Sequence, residues 1–278
     1  AMKSLAAATS AYYRATFIPD DGERNGLARP LTVRVSRPEV TVRARPAVLI
    51  PDARSGRGGA KAVSPRDMLR VGDAFTALPL RAGAYVSRDN SAARSRVVVM
   101  AEPVEQGVTL KAASAGFYDE KGKLVAQASA DDEGLARTPP MIATVVPAGR
   151  YRMRVAAVDA AGRAGAVDGA LEVRLAGDGP LTLSSLVLGV SADGRFAGRL
   201  LFHDEPTAVA YLEIYGAAAG EVAAELQLSE SEDGPVAVRG AMRVTGGEGN
   251  ERRVALGGIP IGQFPPGDIV VRAVVSLD

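Results

Sequence analysis

Apolar and polar side chains alternate with a period of two along much of this chain, as in Leu31-Thr-Val33-Arg-Val35, Val40-Thr-Val42-Arg43 and Tyr151-Arg-Met153-Arg-Val155. That period places one set of side chains on each face of a half-buried β-strand. Strands are predicted near Tyr12 to Ile18, then near Ala77 to Val86, Arg96 to Ala101, Thr109 to Tyr118, Leu124 to Ser129, Met141 to Val146, Tyr151 to Val158 and Ala170 to Leu175. Turn clusters separate them: Pro19-Asp-Asp-Gly22, Asp119-Glu-Lys-Gly122 and Asp159-Ala-Ala-Gly162 each end on a glycine, which reaches positive φ at no steric cost. Residues 3 to 10 have the composition of two helical turns. Val222-Ala-Ala-Glu-Leu226-Gln-Leu228 has helical propensity as well, but its alternation favours a strand.

One segment occurs twice. Pro147-Ala-Gly149-Arg-Tyr151-Arg-Met153-Arg154 returns as Pro265-Pro-Gly267-Asp-Ile269-Val-Val-Arg272, 118 residues later. A Pro-x-Gly turn launching a late strand, repeated at the length of one β-sandwich, predicts two sandwiches in tandem. Between the corners, Leu186-Val-Leu188 is matched to Leu78-Pro-Leu80, Phe202 to Pro206 to Met100 to Pro103, and Ile214-Tyr215 to Phe117-Tyr118. Tyr151, at the entry to the penultimate strand, is expected to form a tyrosine corner, its hydroxyl bonded to backbone upstream. The second copy stops at Asp278, where a turn and last strand would follow; an unpaired edge near Ile269 to Ser276 would be open to strand addition from another chain or from the N-terminal strands, and the alternatives are a sequence cut there or an edge that is simply short.

Composition narrows the function classes. The 278 residues correspond to about two domains, each able to bury a core without disulfides, and the chain has no Cys. It has no Trp and few aromatics, so the cores are expected to be thin and aliphatic. Arginine outnumbers lysine 28 to 5, yet the net charge is only +1, which gives no nucleic-acid footprint. No stretch approaches the roughly 20 apolar residues of a membrane-spanning helix, and no insertion is expected. Ala1 before Met2 reads as a scar of tag removal, so the sequence is expected to be an excised piece.

No motif carries catalytic chemistry. His203 is the only imidazole, and in His203-Asp204-Glu205 neighbouring side chains diverge where a triad requires convergence; a loop histidine is expected. One His and no Cys cannot assemble a zinc site. Asp131-Asp-Glu-Gly134 and Glu230-Ser-Glu-Asp-Gly234 lack the ligand spacing of a calcium loop and read as solvated turns. Gly56 to Gly59 and Gly246-Gly-Glu-Gly249 lie between strand-like segments, not ahead of a helix, so they are read as loops and not as phosphate cradles. A carbohydrate platform would have to draw on Tyr85, Tyr118, Tyr211 and Tyr215, most of which alternation turns inward.

The N-terminal run Thr9-Ser-Ala-Tyr12-Tyr13-Arg-Ala-Thr-Phe-Ile-Pro19, followed by Gly26, Val33-Arg-Val-Ser-Arg-Pro38, Val42-Arg-Ala-Arg45 and Pro51, resembles the end of the von Willebrand factor A-like domain in secreted bacterial proteins of the VWFA-related type. The resemblance covers about the first 50 residues, and Val48 stands where that family usually has an aromatic. It implies a periplasmic or extracellular location and a role in protein interaction or adhesion. The metal-binding Asp-x-Ser-x-Ser loop of such domains is absent, so no metal site carries over.

The expected architecture is mostly β: two tandem immunoglobulin- or fibronectin III-like sandwiches over 64–176 and 180–278, a Gly-rich linker over 52–63, and a short helix with a β-hairpin over 1–51. The expected function is a non-catalytic spacer or protein-interaction module without cofactor, and the alternative is a carbohydrate-binding accessory module.

Overall fold

A computed structural model describes residues 28–30, 32, 47–49 and 64–277, apart from 72–74, 91–93, 178, 193, 217–220, 232, 247–251, 263 and 265–268. The chain forms two units, residues 1–62 and 63–278. In the first, β1 (Ala28–Pro30) pairs antiparallel with β2 (Ala47–Leu49). The expected helix over 3–10 and strands over 12–18, 31–35 and 40–45 lie outside the described residues, Thr32 excepted.

The second unit is mostly β and its sheets are antiparallel. Its chain opens with a short helix, α1 (Pro65–Met68), whose Ser64 cap accepts the Asp67 N–H at 3.2 Å. Then come β3 (Leu80–Arg88), β4 (Arg94–Pro103), β5 (Leu110–Tyr118), β6 (Leu124–Ser129), the helical turn α2 (Asp132–Ala136), β7 (Met141–Pro147), β8 (Gly149–Asp159) and β9 (Ala164–Val173). They make a three-stranded sheet, β3-β4-β7, and a four-stranded one, β6-β5-β8-β9. Alternation decides what lies between them. Val97, Val99 and Ala101 of β4 are fully buried beside Phe117 and Val155, while Arg96, Val98 and Met100 point the other way.

Tyr151 donates its hydroxyl to the Pro147 carbonyl at 3.0 Å, and its ring meets Phe117 edge-on at 6.5 Å. A Cβ on Gly149, the first residue of β8, would lie 3.2 Å from that hydroxyl oxygen. The outer face of the four-stranded sheet is covered by α1. Met68 and Leu69 pack on Ala156 and Val158, and Tyr118 donates its hydroxyl to the Leu69 carbonyl. β9 starts six residues earlier than the alternation predicts. Gly165 lets the strand approach Leu78, whose carbonyl oxygen would be 2.0 Å from a Cβ there, and the small residues that permit the approach carry no β signal of their own.

From residue 182 the strands are β10 (Thr182–Leu183), β11 (Val187–Ala192), β12 (Arg195–Gly198), β13 (Thr207–Tyr215), β14 (Val222–Ser229), β15 (Val238–Gly246), β16 (Arg252–Pro260) and β17 (Val270–Leu277). They follow the order β12-β11-β13-β16-β15-β14-β17. β15 changes layers midway: Val238 to Met242 pair with β14, and Arg243 to Gly246 with β16. Leu212, Ile214, Leu226, Leu228 and Ile259 fill the space between.

The orders β11-β13-β16 and β14-β17 reproduce β3-β4-β7 and β5-β8. Two of the matched pairs read from the sequence are out of register with this order. Met100 to Pro103 end β4, whereas Phe202 to Pro206 precede β13; Phe117-Tyr118 end β5, whereas Ile214-Tyr215 end β13. A shared Glu-Pro marks a strand end in one place and a strand start in the other. The strands β12, β15 and β16 were not predicted at all. The corner at Pro265 to Asp268 lies outside the described residues.

Candidate functional site

β17 is the end strand of its sheet. β8, its counterpart by strand order, pairs with β5 on one side and β9 on the other, whereas β17 pairs with β14 alone among the described residues. In an antiparallel ladder alternate residues turn their N–H and C=O groups away from the partner, so one side of β17 presents a row of them. Its sequence, Val-Val-Arg-Ala-Val-Val-Ser-Leu, has no Pro and one charge, and Val274 and Leu277 are about two-fifths exposed. Ile269, Val271, Ala273 and Val275 meanwhile pack on the core. β9, also an edge, is broken up by Gly165, Asp168, Gly169 and Glu172.

A second feature lies where two sheet faces meet. The outward side chains of β3-β4-β7 oppose the outward side chains of β11, β12, β13 and β16, so residues that alternation assigns to solvent face one another. Hydrogen bonds hold the faces together. Val86 and Ser185 exchange bonds, the Val86 N–H to Ser185 Oγ at 3.1 Å and the Ser185 N–H to the Val86 carbonyl at 2.8 Å; the Arg88 N–H donates to Tyr215 Oη at 3.0 Å. The Glu102 carboxylate accepts the N–H groups of Leu200 at 2.7 Å and Leu201 at 3.1 Å. Where the layers come closest they do so over glycines: a Cβ on Gly198 would sit 2.8 Å from Met100 Sδ, and one on Gly83 2.6 Å from Leu200 Cδ2.

Beside the Gly198–Met100 contact the faces part and leave a cleft of about 800 Å³. Glu213 stands in it, 8% exposed. Its carboxylate accepts the Tyr211 hydroxyl at 2.6 Å, the Tyr215 hydroxyl and the Arg252 guanidinium. Burial pushes the Glu213 carboxyl up, but these three donors outweigh it and its pKa lies below the ordinary glutamate value. Burial, with the Glu213 carboxylate beside it, raises the phenol pKa of Tyr85. Tyr85 meets Tyr211 edge-on at 6.3 Å, and Phe196 stacks on Tyr211 at 5.3 Å.

Three of the four tyrosines considered for a carbohydrate platform thus converge, although strand alternation had turned most of them inward. Tyr85, Tyr211 and Tyr215 occupy the outward register of their strands, and they are covered because the outward faces meet each other. The fourth, Tyr118, is under α1. Which strand faces pack together has no signature in local periodicity, so the convergence was not readable from the sequence.

The remaining candidates lie apart. His203 is exposed in the loop between β12 and β13, its backbone N–H donated to the Glu205 carboxylate. Asp131 accepts the Gly134 N–H at 2.7 Å and caps α2, and Glu133 pairs with Arg137, so these carboxylates act as helix-end groups. Glu230, Asp233 and Gly234 lie in the β14–β15 turn, and no group of three metal-ligating side chains occurs among the described residues. Gly56 to Gly59 and Gly247 to Gly249 are outside them. No protein-family model matches the chain, and no curated protein matches it.

Proposed function

We propose that this chain is a non-catalytic interaction module of an extracytoplasmic protein, built from two immunoglobulin- or fibronectin III-like sandwiches and joined to its partner by strand addition at β17. The observation that carries the reading is that β17, an apolar strand, pairs with β14 alone among the described residues, whereas its counterpart β8 is paired on both sides. A partner strand would satisfy the outward N–H and C=O groups and place its own side chains beside Val274 and Leu277. Interlocking of the two sheet faces through Glu102, Ser185 and Tyr215 favours a stiff spacer that presents this edge at a fixed angle. The extracytoplasmic location rests on the resemblance of the first 50 residues. The carbohydrate alternative draws less support, since a platform needs ring faces open to solvent and these rings stand inside a cleft.

The test uses a peptide of this chain's own residues 164–173, the strand that pairs with β8. Hydrogen exchange of the β17 amides in the intact chain should show one alternate set slow and the other fast. The peptide should slow the fast set, and Val274→Lys should abolish that protection by charging the edge. Slow exchange of both sets without peptide, or no response to any strand-forming peptide, would sink the proposal.

A further inference from the structure

The cleft between the two sheet faces has the size, wall chemistry and charge of a ligand site. Its volume falls in the range of small-molecule sites, and junctions between packed bodies are where such sites concentrate. Phe196 and Tyr211 form one wall; Val98, Met100 and Met141 form the other. A flat ring inserted between them would meet an aromatic surface on one side and valine and methionine on the other, and thioether sulfur makes favourable contacts with ring edges. The polar groups lie on the floor and rim.

Charge selects the other half of the ligand. The lining holds three arginines, Arg88, Arg96 and Arg252, against two carboxylates, Asp89 and Glu213. Arg252 is committed to Glu213, and the Arg88 guanidinium lies over the Tyr215 ring at 4.5 Å. Arg96 is exposed on β4 and makes no ion pair among the described residues. A carboxylate meets such a guanidinium in a bidentate, charge-assisted pair. Glu213 already accepts from three donors, so a cationic ligand finds no unspent carboxylate on the floor.

We propose that this cleft binds an aromatic ring carrying or flanked by a carboxylate, with the ring between the Phe196–Tyr211 and Met100–Val98 walls and the carboxylate on Arg96. The group has two sources, a free aryl carboxylate or an aromatic-acidic pair of residues in a peptide. The site is independent of the β17 edge.

Because the chain has no Trp, an indole ligand is the only indole emitter, and energy transfer from the cleft tyrosines reports its binding. The probes are 3-indolepropionate, its neutral amide, and a blocked Gly-Trp-Asp-Gly peptide, titrated into the intact chain. Binding of the acid or the peptide with Kd below about 1 mM is expected, with the responding probe naming the source. The amide should bind about tenfold more weakly than the acid, and Arg96→Gln should weaken the acid by a similar factor. Arg96 is exposed, so that variant should keep the wild-type melting temperature. Val274→Lys should leave indole binding unchanged, which separates failure at the edge from failure at the cleft. Equal binding of acid and amide, no binding of either acid or peptide, or binding of glucuronate in their place would overturn the proposal.

Discussion

Tyr151 contributes through two separable parts, its ring and its hydroxyl. Tyr151→Phe removes only the bond to the Pro147 carbonyl and should cost about 1 kcal/mol; Tyr151→Ala also empties the site beside Phe117 and should cost about 3 to 5 kcal/mol. Urea unfolding of the two variants checks both figures, and a loss below about 1 kcal/mol for the alanine would place the residue outside the core. Glu213 adds a pH dependence with a defined sign. Its folded pKa is lowered, so its contribution is complete above the unfolded carboxylate value of about 4.3 and is lost as the pH falls through the folded value. Glu213→Gln should therefore be less stable than wild type at pH 7 and lose less on acidification below about pH 4.3. The tyrosine corner was legible because a Pro-x-Gly turn and the following alternation are local signals. Nothing local marks Glu213. It lies between Leu212 and Ile214 in outward register, where a solvated carboxylate is the ordinary expectation.

Among the elements, β9 shows how closeness of approach overrides propensity. Gly165→Ala would place a Cβ against the Leu78 carbonyl oxygen, and because that neighbour is backbone the strand must shift, at a cost of about 2 kcal/mol. Gly169→Ala, four residues along the same strand, meets nothing within 4 Å and should be neutral or slightly stabilising. Thermal unfolding of the pair distinguishes a packing requirement from a general glycine effect. β5, β6, β7 and β8 were readable from the sequence close to their ends, as was the choice of strand over helix for β14. β9, β12, β15 and β16 were not, since a ladder with β8 fixes the first, a tight hairpin with β11 the second, and ladders with β14 and β13 the last two. Ile269 to Ser276 is read from the sequence as a strand, and β17 covers Val270–Leu277 of it; its place at the end of the strand order is a matter of pairing.

For residues 63–278 as a whole, the coupling of the two sheet faces is the quantity to measure. Glu102 is the acceptor for two successive backbone N–H groups, at Leu200 and Leu201, and Glu102→Ala leaves both without it. Residues 80–173 and 182–277 share no strand ladder, so the variant should unfold in two transitions where the parent shows one. Calorimetry checks this. A single transition in the variant would mean that the apolar contacts around Met100, Gly198 and Leu200 suffice to couple the halves.

The sequence by itself determined the β class and most strand positions, since period-two alternation and glycine turns act over a few residues. Tertiary structure decided which outward faces meet, and therefore that Tyr85, Tyr211, Tyr215 and Glu213 share a cleft. Alternation assigns a side chain to one of two faces of a strand. Whether that face then meets water or another sheet depends on long-range packing, in which no single position carries the signal.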